Sequence, residues 1–366
     1  MNARIDVVAQ REPARLPVRN PRSGAYDTHV DVASAEDVAA AAARLRGAQR
    51  AWSRRSVEER GAILVRWADE IAAEREALIE ALATDTGRWS ISVGEVDAAM
   101  RNIRRWAKQA PELVRETEFE SSLLPTVTIR DQFVHYGLVG CISPWNFPVT
   151  LSLIDAVPAL VAGCAALVKP SEVTPRCIAP LRRALERVPE LAAVFAFVTG
   201  GADTGRALVG VVDVICFTGS VPTGRRVAEA AAARFIPAFL ELGGKDPAVV
   251  LASADLEMAT DVALRGSIAN NGHACMSLER IYVQRPLYAR FVSRLVEKAR
   301  AVPLAWPDPR SGYLGPLIFE PQARTLQAQL DDARAKGARV LCGGEIENLG
   351  GGLYLRPTVV VDVDHS

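Results

Sequence analysis

Apolar residues recur at helical spacing in two early stretches of the chain, Val38, Ala41, Leu45, Ala48 and Trp52, then Ile63, Trp67, Ile71 and Leu78. Residues three or four apart share one face of a helix, so the spacing predicts two long amphipathic helices. Each stretch is preceded by a capping box, Ser34 with Asp37 and Ser56 with Glu59, in which a hydroxyl accepts from the third helical amide. Gly87 is placed to close the second helix, because glycine takes the left-handed conformation of a helix end at little cost. From 118 to 136 the pattern changes to Leu, Val, Thr and Ile alternating with polar groups. This predicts an exposed ribbon, and an oligomerisation arm is its expected use.

Beyond Gly137 come short, almost wholly apolar runs: LVGCIS, AALVK, VFAFV, VICF, FIPAFL and PAVVL. Such runs suit strands buried on both faces of a parallel sheet. The segments between them, such as 175–188 and 222–233, have helix length and cap signals; Thr174 and Pro175 are expected to start one as cap and first residue. The fold class is therefore α/β, an open parallel Rossmann-like sheet. A glycine pair after a buried strand, Gly243-Gly244, marks where the chain passes to a second sheet. We place a cofactor domain at 1–242, including the helical part and the arm, and a second α/β catalytic domain at 243–366. In the latter, strands are expected at RIYV, 338–342 and 358–363.

Composition narrows the function. A chain of 366 residues exceeds the size at which one core stops growing, which agrees with two domains. Lys plus Arg and Asp plus Glu both number 43, so no net field attracts nucleic acid or an acidic membrane, and a small molecule is the expected partner. Residues 1–17 hold no apolar run, which argues against a secretory leader there. The cysteines Cys141, Cys164, Cys177, Cys216, Cys275 and Cys342 form no CxxC pair, and His29, His135, His273 and His365 form no HExxH. Neither a disulfide scaffold nor a metal site is indicated, and a reducing, cytoplasmic setting is expected.

Ligands of open α/β sheets bind beyond the carboxyl ends of the strands, and four such ends carry polar groups. In Pro144-Trp145-Asn146-Phe147-Pro148, Asn146 is either an amide donor for a developing oxyanion or a turn asparagine satisfying backbone. In Lys169-Pro170-Ser171-Glu172, Lys169 and Glu172 can reach a ribose, with the carboxylate repelling a 2'-phosphate and so favouring NAD over NADP. The alternative is a plain strand-exit turn. In Phe217-Thr218-Gly219-Ser220, followed by Gly224, backbone amides and a helix start face a phosphate, or form only a tight turn. No GxGxxG is present. Glu241, within Leu240-Glu241-Leu242-Gly243-Gly244-Lys245, is a carboxylate among apolar neighbours, either paired with a cation or a general base of raised pKa. Cys275, in Asn270-Asn271-Gly272-His273-Ala274-Cys275-Met276, is an exposed nucleophile or a small buried hydrophobe.

Taken together and in this order, PWNFP, KPSE, FTGS, LELGGK and the glycine-containing approach to the cysteine resemble the NAD(P)-dependent aldehyde dehydrogenase superfamily, over nearly the whole chain. The resemblance implies that Cys275 attacks an aldehyde, Asn146 and the Cys275 amide hold the oxyanion, hydride passes to NAD, and Glu241 activates the water that hydrolyses the thioester. It further implies cofactor contacts from Trp145, Lys169, Ser171, Glu172, Phe217, Gly219, Ser220, Gly224 and Leu242, and a homodimer or homotetramer. His273 stands where the family commonly has glutamine, and reads as a spacer more than as a base acting on Cys275. Relatives continue past the last residues of this chain into a segment with a Glu-Ile-Phe-Gly-Pro-Val signature, so the catalytic domain is expected to be incomplete at its C-terminal end. A coenzyme A-acylating enzyme and an inactive remnant that binds NAD are the alternatives.

Overall fold

In the computed structural model, which describes residues 14–365, both capping boxes form. Ser34 Oγ accepts from the Asp37 amide at 3.1 Å and Asp37 Oδ2 from the Ser34 amide at 2.9 Å; Ser56 and Glu59 repeat the exchange at 3.1 and 2.8 Å. They open the helices Ala35–Ser53 and Val57–Ala73, whose apolar faces bury Leu45, Trp52, Leu64, Trp67 and Ile71. The second apolar stretch is two helices rather than one. The chain breaks at Glu74 and resumes as Arg75–Thr86, which Gly87 closes at φ +69°. Trp89–Leu113 then packs back along Val57–Ala73. Ahead of these helices lies a hairpin, Arg15–Arg19 with Tyr26–Asp31, absent from the reading of the first third as helices. Its side chains are mostly exposed, so no apolar alternation marks it. The expectation that residues 1–17 hold no secretory leader falls, for residues 1–13, outside the described residues.

The apolar runs become one parallel sheet in the order Phe195–Phe197, Ala165–Lys169, Leu138–Ile142, Val214–Thr218 and Ala238–Glu241. Ala165–Lys169 is buried throughout, as expected of a strand covered on both faces. The register places Ile142 opposite both Lys169 and Phe217, and Thr218 opposite Glu241. The four polar ends singled out from the sequence therefore share one edge of the sheet. The helix expected from Thr174 instead starts at Ile178 and runs to Glu186; the Thr174 hydroxyl donates to the Trp145 carbonyl at 3.2 Å and ties two of those ends together.

PAVVL does not join that sheet. It forms Asp246–Val250, parallel to Leu278–Val283, with the helix Leu256–Ile268 between them. A second, smaller core gathers here around Val250, Ala263, Leu287, Phe291 and Leu295. Arg339–Cys342 pairs antiparallel with Val359–Val361, and a further hairpin joins Ile346–Leu349 to Gly352–Leu355. The ribbon is present as Thr117–Glu120 paired with Thr128–Asp131, every residue exposed. Among the described residues, no helix is long and apolar enough to cross a membrane.

Candidate active site

Two loops meet at the carboxyl edge of the sheet. One leaves Leu138–Ile142 and carries Asn146; the other leaves the helix Leu256–Ile268 and carries Cys275. In the second loop Asn270 and Asn271 both take left-handed backbone, at φ 56° and 57°, a conformation that asparagine tolerates better than most residues. The Asn146 side-chain amide donates to the His273 carbonyl at 2.8 Å. Asn270 donates to the same carbonyl and to the Asn146 carbonyl, both at 3.0 Å. The sequence-predicted amide and thiol are thus held by hydrogen bonds between their own loops. Asn146 Oδ1 is buried without a partner. Cys275 is exposed, and Met276 beside it is 72% exposed, so the buried-hydrophobe reading of this thiol does not hold.

Behind the two loops sits Arg88, missed in the sequence because an arginine between a glycine and a tryptophan has no distinguishing pattern. It is buried, and donates to the carbonyls of Asn270 at 3.2 Å and Asn146 at 3.1 Å. Burial pushes its pKa down to about 9, against the pull of Glu95. Glu95 is buried as well, and its Oε1 accepts from the amides of Val149 and Thr150 at 2.9 and 3.0 Å. Desolvation pushes that carboxyl up to about 7, opposed by these bonds and by Arg88. His273 is buried with both ring nitrogens unpartnered. Its ring stands edge-on to Trp145 with centroids 5.2 Å apart.

Glu241 ends the last strand of the sheet and is exposed, which corrects the expectation of a carboxylate buried among apolar neighbours. The strand is an outer one whose alternate residues face solvent. Asp155, at the start of the helix Ala156–Ala162, has its pKa raised by burial and by the Glu241 charge. Past Glu241 the chain runs close to the thiol loop, because a Cβ on Gly244 would lie 2.5 Å from the Cys275 carbonyl oxygen. That approach requires glycine.

On the neighbouring strand ends, Lys169 is buried and its Nζ lies 3.0 Å from Glu172 Oε2. Ser171 Oγ accepts from the Val173 amide at 3.2 Å. Phe217 is buried under the turn, where a Cβ on Gly219 would meet its ring at 2.6 Å; one on Gly224 would meet Leu242 at 2.5 Å. The Gly219 amide donates to the Glu241 carbonyl at 3.0 Å. Ser220 precedes the thirteen-residue helix Val221–Ala233, and its hydroxyl makes no capping bond, donating instead to Thr223. The exposed, uncapped first turn suits a phosphate, which the helix dipole and free amides attract. The exposed helix start at Ser220 and the Lys169–Glu172 pair lie on this same edge.

The family model "Aldehyde dehydrogenase family" matches residues 7–366. A Mycolicibacterium smegmatis protein named "Putative succinate-semialdehyde dehydrogenase", with NADP(+) as its specified cofactor, is 39% identical over 351 residues, covering 95% of this chain and 68% of that protein. Among solved structures, one described as "Putative Aldehyde Dehydrogenase PutA" from Anabaena variabilis superposes with a TM-score of 0.93 at 49% identity, covering 96% of this chain and 75% of the other. A 3,6-anhydro-L-galactose dehydrogenase in complex with NAP gives 0.89 at 29% identity, with coverages of 96% and 75%. The chain spans about two thirds of the length of the curated relatives it matches. These findings overturn the expected preference for NAD, since the Mycolicibacterium smegmatis relative and one from Mycobacterium ulcerans carry NADP(+) in their names. The physical reason lies in the strand-exit loop. Lys169 holds the Glu172 carboxylate, so the charge expected to repel a 2'-phosphate is offset within its own tetrapeptide.

Proposed function

The chain belongs to the aldehyde dehydrogenase family, and from that premise we propose that it oxidises an aldehyde to a carboxylic acid with NADP(+), through a thioester on Cys275. The observation that carries the reading is the exposed thiol on a loop hydrogen-bonded to the Asn146 amide. Bound at the sheet edge, the nicotinamide supplies the hydride acceptor. Cys275 adds to the aldehyde carbon, and Asn146 uses its remaining N–H, with the Cys275 amide, to hold the oxygen as charge develops there. Glu241, open to solvent, takes the proton of the water that releases the acid. Lys169, Ser171 and Glu172 hold the adenosine ribose, the Gly219–Ser220 turn with Gly224, Phe217 and Leu242 shapes the pyrophosphate seat, and Trp145 lines the cofactor.

For the substrate we take a semialdehyde, following the names of the relatives, which include a 2-aminomuconic semialdehyde dehydrogenase of Bos taurus. The two cores support a division at 242/243. The exposed ribbon supports an arm that binds a second copy, and free thiols in all six cysteines fit a reducing cytoplasm.

The test is NADPH formation from succinate semialdehyde and from butanal. Cys275→Ala is expected to abolish it, and Glu241→Gln to give a burst of one NADPH per site followed by slow turnover. Normal turnover in Cys275→Ala would refute the thioester, and steady turnover without a burst in Glu241→Gln would remove that glutamate from hydrolysis. A preference for butanal would refute the semialdehyde.

A further inference from the structure

Arg88 is out of place as a structural residue. A buried guanidinium is costly unless its charge and donors are answered, yet among the described residues no carboxylate lies within hydrogen-bond reach of it, and its Nε is unpartnered. What it does meet are two backbone carbonyls, those of Asn146 and Asn270, the first in a loop and the second in the short 3-10 turn Ala269–Gly272, whose backbone at Asn270 is left-handed. The planar fork of a guanidinium reaches two acceptors at a fixed separation, which an ammonium on a flexible stem does not.

Those two carbonyls are the roots of the site. Asn146 carries the candidate oxyanion donor, and Asn270 bonds to both the Asn146 and the His273 carbonyls, two residues before Cys275. The chain leading into Arg88 is itself fixed, because Gly87 is in the left-handed conformation and a Cβ there would strike the Pro316 ring at 2.4 Å. Pro316 in turn accepts from Asn271, the neighbour of Asn270, at 3.1 Å. The guanidinium is thus carried on a rigid helix start and aimed at the backs of both loops.

We propose that Arg88 is a positioning residue for the reaction: it bridges the Asn146 and Cys275 loops from behind and sets the distance between the oxyanion-holding amide and the attacking sulfur. The inference rests on the reading that these two groups act together. A displacement of about 1 Å between reacting groups costs roughly a hundredfold in rate, so loss of the bridge lowers kcat with little effect on binding.

The experiment is a double-mutant cycle with Arg88→Lys and Asn146→Ala, reading kcat and KM for the aldehyde, and NADP(+) affinity by titration of the enzyme without aldehyde. Arg88→Lys is expected to lower kcat by roughly ten- to a hundredfold, with KM within about threefold and NADP(+) affinity unchanged. If Arg88 acts through Asn146, the double variant is no slower than Asn146→Ala alone. Should the lysine variant fail to fold, Arg88→Gln, whose amide can reach one of the two carbonyls, takes its place in the same cycle. An unchanged kcat, or losses that multiply in the double variant, overturns the proposal while leaving the reaction intact. A wild-type chain without Cys275-dependent turnover overturns the reading of the reaction, and this inference with it.

Discussion

His273 is one of the buried titratable groups behind the site, and its surroundings fix how it responds to acid. The ring is 8% exposed and neither nitrogen finds a partner, so its protonated form has nothing to repay the lost hydration. Burial, with a smaller push from the Arg88 charge, lowers its pKa from 6.5 to about 3. The folded chain therefore keeps a neutral imidazole at pH values where the unfolded chain protonates it. A pKa depressed on folding contributes stability that is present above the unfolded value and lost as pH falls towards the folded one. Between pH 7.5 and 5 the loss from this group is about 2 kcal/mol. In urea titrations, the stability of the wild type relative to His273→Gln is expected to fall by that amount over the interval; a constant gap would mean that the ring takes up a proton in the folded state. The sequence put His273 next to Cys275 but gave no sign of Arg88, which is distant along the chain and reaches the site only after folding. For a candidate residue within a motif, such as Asn146 or Glu241, the type was readable. Its burial was not: Glu241 reads as enclosed and is open, because the pattern around a strand end does not say whether that strand is an outer one.

At the scale of elements, the features that were legible are those fixed within a few residues. The capping boxes at Ser34 and Ser56 are of this kind, as are the runs buried on both faces and the glycine at 87. Where a long-range contact competes, local signals fail. Thr174 has the chemistry of a cap but spends its hydroxyl on the Trp145 carbonyl, and the apolar spacing through Ile71 and Leu78 continues across a break at Glu74 that periodicity does not register. The loop before Cys275 is the sharpest case. Asn271 adopts left-handed backbone, accepts from the Gly315 amide at 3.1 Å and donates to the Pro316 carbonyl at 3.1 Å. Alanine there forfeits both bonds and meets the steric cost of that conformation, together about 2 to 4 kcal/mol. Asn271→Gly keeps the backbone freedom and loses only the bonds. Chemical denaturation should therefore rank the wild type above Asn271→Gly and Asn271→Gly above Asn271→Ala. If the alanine and glycine variants prove equal, the backbone conformation contributes nothing to the loop.

At the scale of the molecule, the site is made by register. Residues spread from Asn146 to Glu241 come to one edge because parallel strands end level with one another, and open α/β sheets place ligands at that edge. The ribbon makes the opposite use of the chain, since Thr117–Glu120 and Thr128–Asp131 extend apolar groups into solvent. Leu123 is 87% exposed, Val134 86% and Phe133 64%. Scattered exposed apolar residues are ordinary, but a two-stranded ribbon is marginal alone, and we propose that a run of this kind is a contact surface. The proposed occupant is a second copy, and the residues contribute little to the fold of the subunit that carries them. Leu123→Glu with Val134→Glu is accordingly expected to lower the sedimentation coefficient to that of a smaller assembly, while the circular dichroism spectrum stays that of the wild type. If the variant sediments like the wild type, the ribbon is not what joins the copies; if the wild type is itself a monomer, the arm has no second copy to bind.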